Sequence, residues 1–416
     1  FAKDCAMKRL GLCVAILFLL SAADPVAPVA PYGQNAAPRK VILPQHVADD
    51  FAAKCLDSSP AGYYLREQDP QKWIIMIDGG GLCIDAMDCR KRARTTLGSS
   101  KSWPSQWDPQ AVPFTGGSAF FSEFSQVLVP YCSGDLWLGQ DHQRRLLVGD
   151  LQMSGHLILN AIVEHLVNNT MLRRSSLVVF AGASAGGIGV FHHGDWISSK
   201  LKSMNVAPRV VLLPIAGLFF PQKWPVLWEE FRLGLELLVD GFMAFWCHLI
   251  EDSFLHEGCV AAAKAAKRPP RECQDVSKIL PELKADVFIF QNQFDQYQAN
   301  HLGFCPPSLC NATTSPESRA WQYLELLGHR SNETMEAAIA ARPDMAVFAP
   351  SWFDHTNELE RNVAGHGLGI HGRSFADAFG SWLAGEQVHL FGAACHGGPC
   401  PLLKGPKDEL QTQLLV

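Results

Sequence analysis

Charge is scarce in this chain. Only 18% of its 416 residues are charged, and 35 Lys+Arg face 41 Asp+Glu, a formal net charge of -6. With no positive excess to neutralise phosphates, a nucleic-acid partner has no electrostatic basis. Long uncharged apolar runs are lacking as well. Leu10 to Ala23 is 14 residues, short of the about 20 that a bilayer core demands. Val226–Ile250 is longer, but Glu229, Glu230, Arg232, Glu236 and Asp240 interrupt it, so no stable membrane span is expected. No C-x2-C pair occurs, which argues against zinc and thioredoxin-like sites, and no internal repeat or second domain boundary is visible. At 48% hydrophobic the chain can bury a large core, so disorder, collagen and coiled coil are excluded.

Cysteine, by contrast, is plentiful. Thirteen cysteines include Cys305 and Cys310, Cys395 and Cys400, and Cys83 and Cys89, at x4 or x5 gaps that suit disulfides better than metal. Lys8 and Arg9 precede the apolar run Leu10–Leu20 and the small residues Ser21-Ala22-Ala23, the pattern of a secretory signal peptide over residues 1–23. Residues 1–6, upstream of Met7, carry no fold information. With Cys5 and Cys13 in that segment, 11 cysteines remain, an odd number that leaves at least one thiol free or intermolecular. A secreted, extracellular location follows, and the sequons at Asn168, Asn311 and Asn332 become candidate surface glycosylation sites.

Residues 24–45 are Pro- and Ala-rich and read as an extended lead-in, 46–402 as one domain, and 403–416 as a tail. Within the domain, short apolar runs alternate with amphipathic stretches, which predicts an α/β fold, a mostly parallel sheet flanked by helices. The expected strands are Trp73–Ile77, Gln126–Pro130, Ser176–Phe180, Arg209–Leu213 and Asp286–Gln291. The clearest helices are Gln152–Asn168 and Gly186–Met204. Val226–Ile250 reads as amphipathic helix, either core packing or an apolar cap inserted over the sheet.

The strand Ser176–Phe180 runs straight into Gly182-Ala-Ser184-Ala-Gly186 and then into a helical stretch. G-x-S-x-G in that context is the signature of a nucleophile elbow, where glycines admit close backbone on both sides of a strained serine. A serine hydroxyl needs a base, an acid to orient the base, and donors for a developing oxyanion. Strand Trp73–Ile77 ends in Asp78-Gly79-Gly80-Gly81, so unobstructed amides of Gly80 and Gly81, with that of Ala185, are the candidate donors. No Walker lysine or G-x-G-x-x-G spacing accompanies that loop. Asp295 follows the strand at 286–291 and is the candidate acid. The base must follow it in sequence; His355 is preferred, while His366, His371, His389 and His396 stay open by order alone.

Cys55–Tyr64, Ile77–Cys83 with Cys89, Leu97-Gly-Ser-Ser100, Pro130-Tyr-Cys-Ser-Gly-Asp135-Leu-Trp137 and Gly182–Gly187 together resemble the pectin acetylesterase/Notum family, in the family's order over residues 50–300. The resemblance implies a secreted carboxylesterase of the α/β-hydrolase fold with Ser184 as nucleophile, Asp295 as acid and His355 as base. It implies Gly80, Gly81 and Ala185 as oxyanion donors, and disulfides Cys55–Cys132, Cys83–Cys89 and Cys259–Cys273. It calls for no cofactor and no metal. This chain departs from the family at Leu82, where an aromatic residue is usual, and at Ile215, where an acidic one is. The three glycines and Leu97–Ser100 favour acetyl groups on a polysaccharide as the substrate. Asp135-Leu-Trp137 and the apolar 226–250 segment favour a fatty acyl group on a secreted protein. Of the two, acetyl esters are preferred by a narrow margin. A reading from another class is a glycan- or lipid-binding protein that keeps the fold without turnover.

Overall fold

The computed structural model describes residues 38–83, 85–107, 122–140, 151–219, 253–302, 305, 308–311, 314–356, 369–395 and 398–400. All lie in the unit Gln34–Val416. The signal segment, the 226–250 insertion and the 403–416 tail lie outside the described residues.

Among the described residues, nine strands form one sheet in the order β1-β2-β4-β3-β5-β6-β7-β8-β9. They are β1 Arg39–Ile42, β2 Gly62–Arg66, β3 Asp69–Ile77, β4 Phe124–Val129, β5 Leu177–Ala183, β6 Arg209–Ile215, β7 Asp286–Phe290, β8 Ala346–Ala349 and β9 His389–Phe391. From β4 across to β9 every pairing is parallel. The central strands are apolar without alternation and buried along their length, as Trp73-Ile-Ile-Met-Ile77 shows, because helices cover both faces of a parallel sheet. The antiparallel pairings, β1 with β2 and β2 with β4, lie at one edge. The end of the stretch expected as a lead-in is therefore a sheet strand: β1 pairs with β2 along its whole length, Arg39 opposite Leu65 to Ile42 opposite Gly62. Its short, half-exposed sequence carries no periodic signal.

The α-helices among the described residues are α1 Gln45–Asp50, α2 Ala86–Arg92, α3 Gly155–Asn169, α4 Ala185–Ser203, α5 Glu257–Ala265, α6 Val276–Ile279, α7 Arg319–Ala341 and α8 Phe375–Leu383. None is long and apolar enough to cross a membrane. The two motifs at 55–64 and 97–100 clamp each other: Ser99 Oγ donates to Asp57 and Ser100 Oγ to the Pro60 carbonyl. Asp135 accepts from the amides of Trp137, Gly139 and Gly155, the last at the start of α3, so this motif is a structural hub. Cys55–Cys132 and Cys259–Cys273 are disulfides, as are Cys305–Cys310 and Cys395–Cys400. Closing the 77-residue loop between Cys55 and Cys132 contributes on the order of 4 kcal/mol in the chain-entropy account.

The helices on one side carry imidazoles that the sheet buries. His193 donates through Nδ1 to the Gly189 carbonyl at 2.8 Å, and its Nε2 lies 3.1 Å from His156 Nδ1. Both ring nitrogens of His192 are buried without a partner among the described residues. Burial, helped by Lys200, lowers His156 to about 4; burial, helped by His256, lowers His192 to about 3; burial and His156 hold His193 well below the usual range. An unfolded chain takes up these protons below about pH 6.5, so it binds more of them than the folded one, and stability falls as pH drops through that value. The loss grows until the folded-state pKa values are reached. We expect acidification from pH 7 to 5 to cost on the order of 2 kcal/mol for each of His156 and His192. A Tm lowered at pH 5, with part of the loss recovered in His192→Gln, is the check; a Tm flat across that range would refute it.

Candidate active site

Three parallel strands deliver the site. β5 ends at Ala183, and Ser184 turns the chain into α4 with φ 56° and ψ −118°, a left-handed backbone for a residue with a side chain. Such strain persists only where the surroundings impose it. The elbow is tight enough that a Cβ on Gly186 would sit 2.1 Å from the Ile77 carbonyl oxygen, and one on Gly182 2.4 Å from that of Gly186. The glycines of the G-x-S-x-G pattern are thus required by close approach, as the sequence suggested.

Across the sheet edge, β7 leads into Asp295 and β8 into His355. The structure brings the three expected side chains together. Ser184 Oγ lies 2.8 Å from His355 Nε2, and His355 Nδ1 lies 2.8 Å from Asp295 Oδ2. With its hydroxyl hydrogen on the imidazole, Ser184 is set up to be deprotonated. The other histidines left open by chain order are elsewhere: His371 is exposed in a turn and His389 in β9 donates to the Met345 carbonyl, while His366 and His396 lie outside the described residues.

Asp295 is fully buried, and the Gln298 amide donates to its Oδ1 and Gln291 Nε2 to its Oδ2. Gln291 also accepts from the Leu218 amide, and Asn292 Nδ2 donates to the Asp354 carbonyl. The polar run Gln291-Asn-Gln293 at the end of β7 therefore ties the acid, the histidine loop and the end of β6 into one network. At His355 burial disfavours the charged ring, but the Asp295 charge and hydrogen bond, joined by Asp354, outweigh it and raise the pKa above the ordinary value. Tyr297 stacks on the His355 ring at 5.2 Å between centroids, and Phe219 lies at 6.0 Å. Neither ring was identifiable in the sequence, although Tyr297 stands two residues past Asp295.

Beside the serine lies the glycine loop. A Cβ on Gly79 would sit 2.8 Å from Ser184 Cβ, so the loop passes directly over the nucleophile. Gly80 and Gly81 have φ of 153° and 68°. Gly79's approach to Ser184 puts this loop beside the nucleophile, and the amides of Gly80, Gly81 and Ala185, the first residue of α4, remain the expected donor set. Burial, opposed by the Gly79 amide, pushes the Asp78 carboxyl up to about 6.

One expectation needs correction. Cys83 and Cys89, expected as a disulfide, are two buried free thiols in side-chain contact. The contact with Cys89, followed by burial, raises the Cys83 pKa far above the usual range. They pack with Leu56, Leu151 and Met153 in a small apolar cluster, where thiols serve as compact hydrophobes. Of the candidate sequons, Asn332 lies half-buried in α7, its amide nitrogen donating to Gln293 Oε1 at 2.9 Å. Asn168 is exposed. Asn311 is half-buried, and the rest of its sequon lies outside the described residues.

The family model described as Pectinacetylesterase matches residues 36–395. Among curated proteins, the palmitoleoyl-protein carboxylesterase NOTUM of Schmidtea mediterranea is 33% identical over 392 residues, covering 87% of this chain and 69% of that protein. The palmitoleoyl-protein carboxylesterase notum1a of Danio rerio is 27% identical over 328 residues, 74% of this chain and 59% of that protein. The human NOTUM is 29% identical over 331 residues, 74% and 60% respectively. This chain thus spans about three fifths of the length of several of the relatives it matches. The crystal structure of the Wnt deacylase Notum from Drosophila has the same fold, with a TM-score of 0.68 at 23% identity over 86% of this chain and 97% of that one.

Proposed function

The chain belongs to the pectinacetylesterase family, and on that premise we propose that it is a secreted serine carboxylesterase that removes a fatty acyl group from a protein. The observation that carries the reading is the unbroken hydrogen-bonded line from Ser184 through His355 to Asp295. In the proposed reaction His355 Nε2 takes the Ser184 proton as Oγ attacks the ester carbonyl. The amides of Gly80, Gly81 and Ala185 receive the oxyanion. The imidazolium, stabilised by Asp295, then protonates the departing alcohol and leaves an acyl-serine. Water, activated by the same ring, releases the acid and restores the serine. Every proton is handled by one imidazole, and no metal or cofactor takes part in these steps.

On the acyl group, the relatives favour the reading that the sequence ranked second. Several are named palmitoleoyl-protein carboxylesterases, whereas acetyl removal from a polysaccharide rests on the glycine loop and on the family's description. Phe219 and Tyr297 beside His355 supply apolar surface where an acyl chain would lie. The four disulfides among the described residues support passage through an oxidising compartment. We expect the octanoyl nitrophenyl ester to exceed the acetyl ester in kcat/KM by about 10-fold or more, since each added methylene in an apolar pocket is worth about 1 kcal/mol. A fluorophosphonate should label Ser184. Preference for acetyl would restore the polysaccharide reading, and a protein that neither labels nor turns over would favour the binding-protein reading.

A further inference from the structure

The glycine loop is gripped from outside the elbow by a residue that neither the motifs nor the reaction scheme assign. Arg92, the last residue of α2, donates through Nη1 to the Gly80 carbonyl at 2.5 Å and through Nη2 to the Leu82 carbonyl at 3.1 Å. Its side chain is 17% exposed, and the spot where a Cβ on Gly81 would stand is 3.6 Å from Arg92 Nη2 and 3.5 Å from Tyr297 Oη.

The consequence follows peptide by peptide. The Asp78–Gly79 peptide is pinned at both ends: the Gly79 N–H donates to Asp78 Oδ1 at 2.8 Å, and Trp137 Nε1 donates to the Asp78 carbonyl at 2.9 Å. The Leu82–Cys83 peptide is pinned too, its oxygen by Arg92 and its N–H by the Gly134 carbonyl at 2.9 Å. Between them the Gly80–Gly81 peptide has one restraint among the described residues, the Arg92 guanidinium on its oxygen. A trans peptide is planar, so its N–H points opposite to its C=O. Fixing the Gly80 oxygen toward α2 therefore aims the Gly81 N–H the other way. The flanking glycines impose no steric bar to flipping that plane. A guanidinium on the oxygen also polarises the amide it is conjugated to.

We propose that Arg92 is a positioning residue for ester hydrolysis, holding the Gly80–Gly81 peptide in the orientation that presents the Gly81 amide to the developing oxyanion. The inference rests on the esterase reading above. It requires that Arg92 act on the transition state more than on substrate binding, because the oxyanion exists only there.

The test compares wild type, Arg92→Ala and Arg92→Lys on a nitrophenyl ester, with and without millimolar guanidinium chloride and a sodium chloride control. Arg92→Ala should lose about 10²-fold in kcat, the scale of a displaced oxyanion donor, with KM and Tm little changed. Added guanidinium should restore part of kcat where sodium does not. Arg92→Lys, able to hold one carbonyl, should fall between the two and serves if the alanine variant does not fold. A raised KM with kcat intact would overturn the proposal by making Arg92 a substrate contact, and an unaltered kcat would overturn it outright. Wild type without turnover overturns the esterase reading as well, whereas an active wild type beside equally active variants overturns this inference alone.

Discussion

Replacing Ser184 with alanine is expected to cut kcat by about 10⁶-fold, the scale at which a serine hydrolase loses its nucleophile. The side chain removed is a single hydroxyl, 8% exposed, hydrogen-bonded to His355 Nε2. No packing is lost, and the elbow's backbone, with the Ser184 amide donating to the Ile215 carbonyl at 2.9 Å, is unaffected by the change. Tm should therefore stay within a degree or two, which separates chemical from structural loss. His355→Ala should cost a similar factor, and the double variant should be no slower than either single one, because serine and imidazole act as one unit. Single-turnover release of nitrophenol measures all three. A Ser184→Ala variant retaining a hundredth of wild-type rate would remove Ser184 from the reaction, and a double variant much slower than the singles would separate the roles of Ser184 and His355.

What the sequence disclosed and what it concealed divides along physical lines. The five expected strands are β3 to β7, displaced by a few residues at their ends, because uninterrupted β-branched runs bounded by turn residues mark a strand buried on both faces. The elbow was legible for a similar reason: its glycines, its strand and its helix are contiguous, and each answers to a local steric demand. Asp295 and His355 could be placed from chain order and the family resemblance, although they lie 60 residues apart, since both sit at the ends of parallel strands. Arg92, Gln291 and Phe219 were not legible. Each acts through contacts between distant segments, as Gln291 does in reaching the Leu218 amide 73 residues away. The thiols of Cys83 and Cys89 show the same limit from the other side. A spacing indicates that a bond is feasible, but the packing around the atoms decides whether it is made.

The acid offers the sharpest separation of geometry from charge. Asp295→Asn is expected to lower kcat by about 10⁴-fold while leaving the fold intact. The asparagine is isosteric, and its carbonyl oxygen can keep the bond from the Gln298 amide. Its NH₂ group then faces His355 Nδ1, from which the carboxylate now accepts a hydrogen bond. A ring that accepts at Nδ1 carries its hydrogen on Nε2, which becomes a donor toward Ser184 and can no longer take its proton. The pH profile should move as well, and its direction follows from the cause of the shift. His355 is held above the ordinary histidine value by Asp295 against the opposing effect of burial. Since the protonated ring is inactive, the acid limb of wild-type kcat/KM should lie above about pH 6.5. Without the carboxylate, burial prevails and the limb should move to lower pH in Asp295→Asn even as the plateau drops. Rates measured from pH 4 to 9 on a nitrophenyl ester decide the matter: a limb that stays in place or moves upward, or a variant within tenfold of wild type, would show that Asp295 does not govern the imidazole.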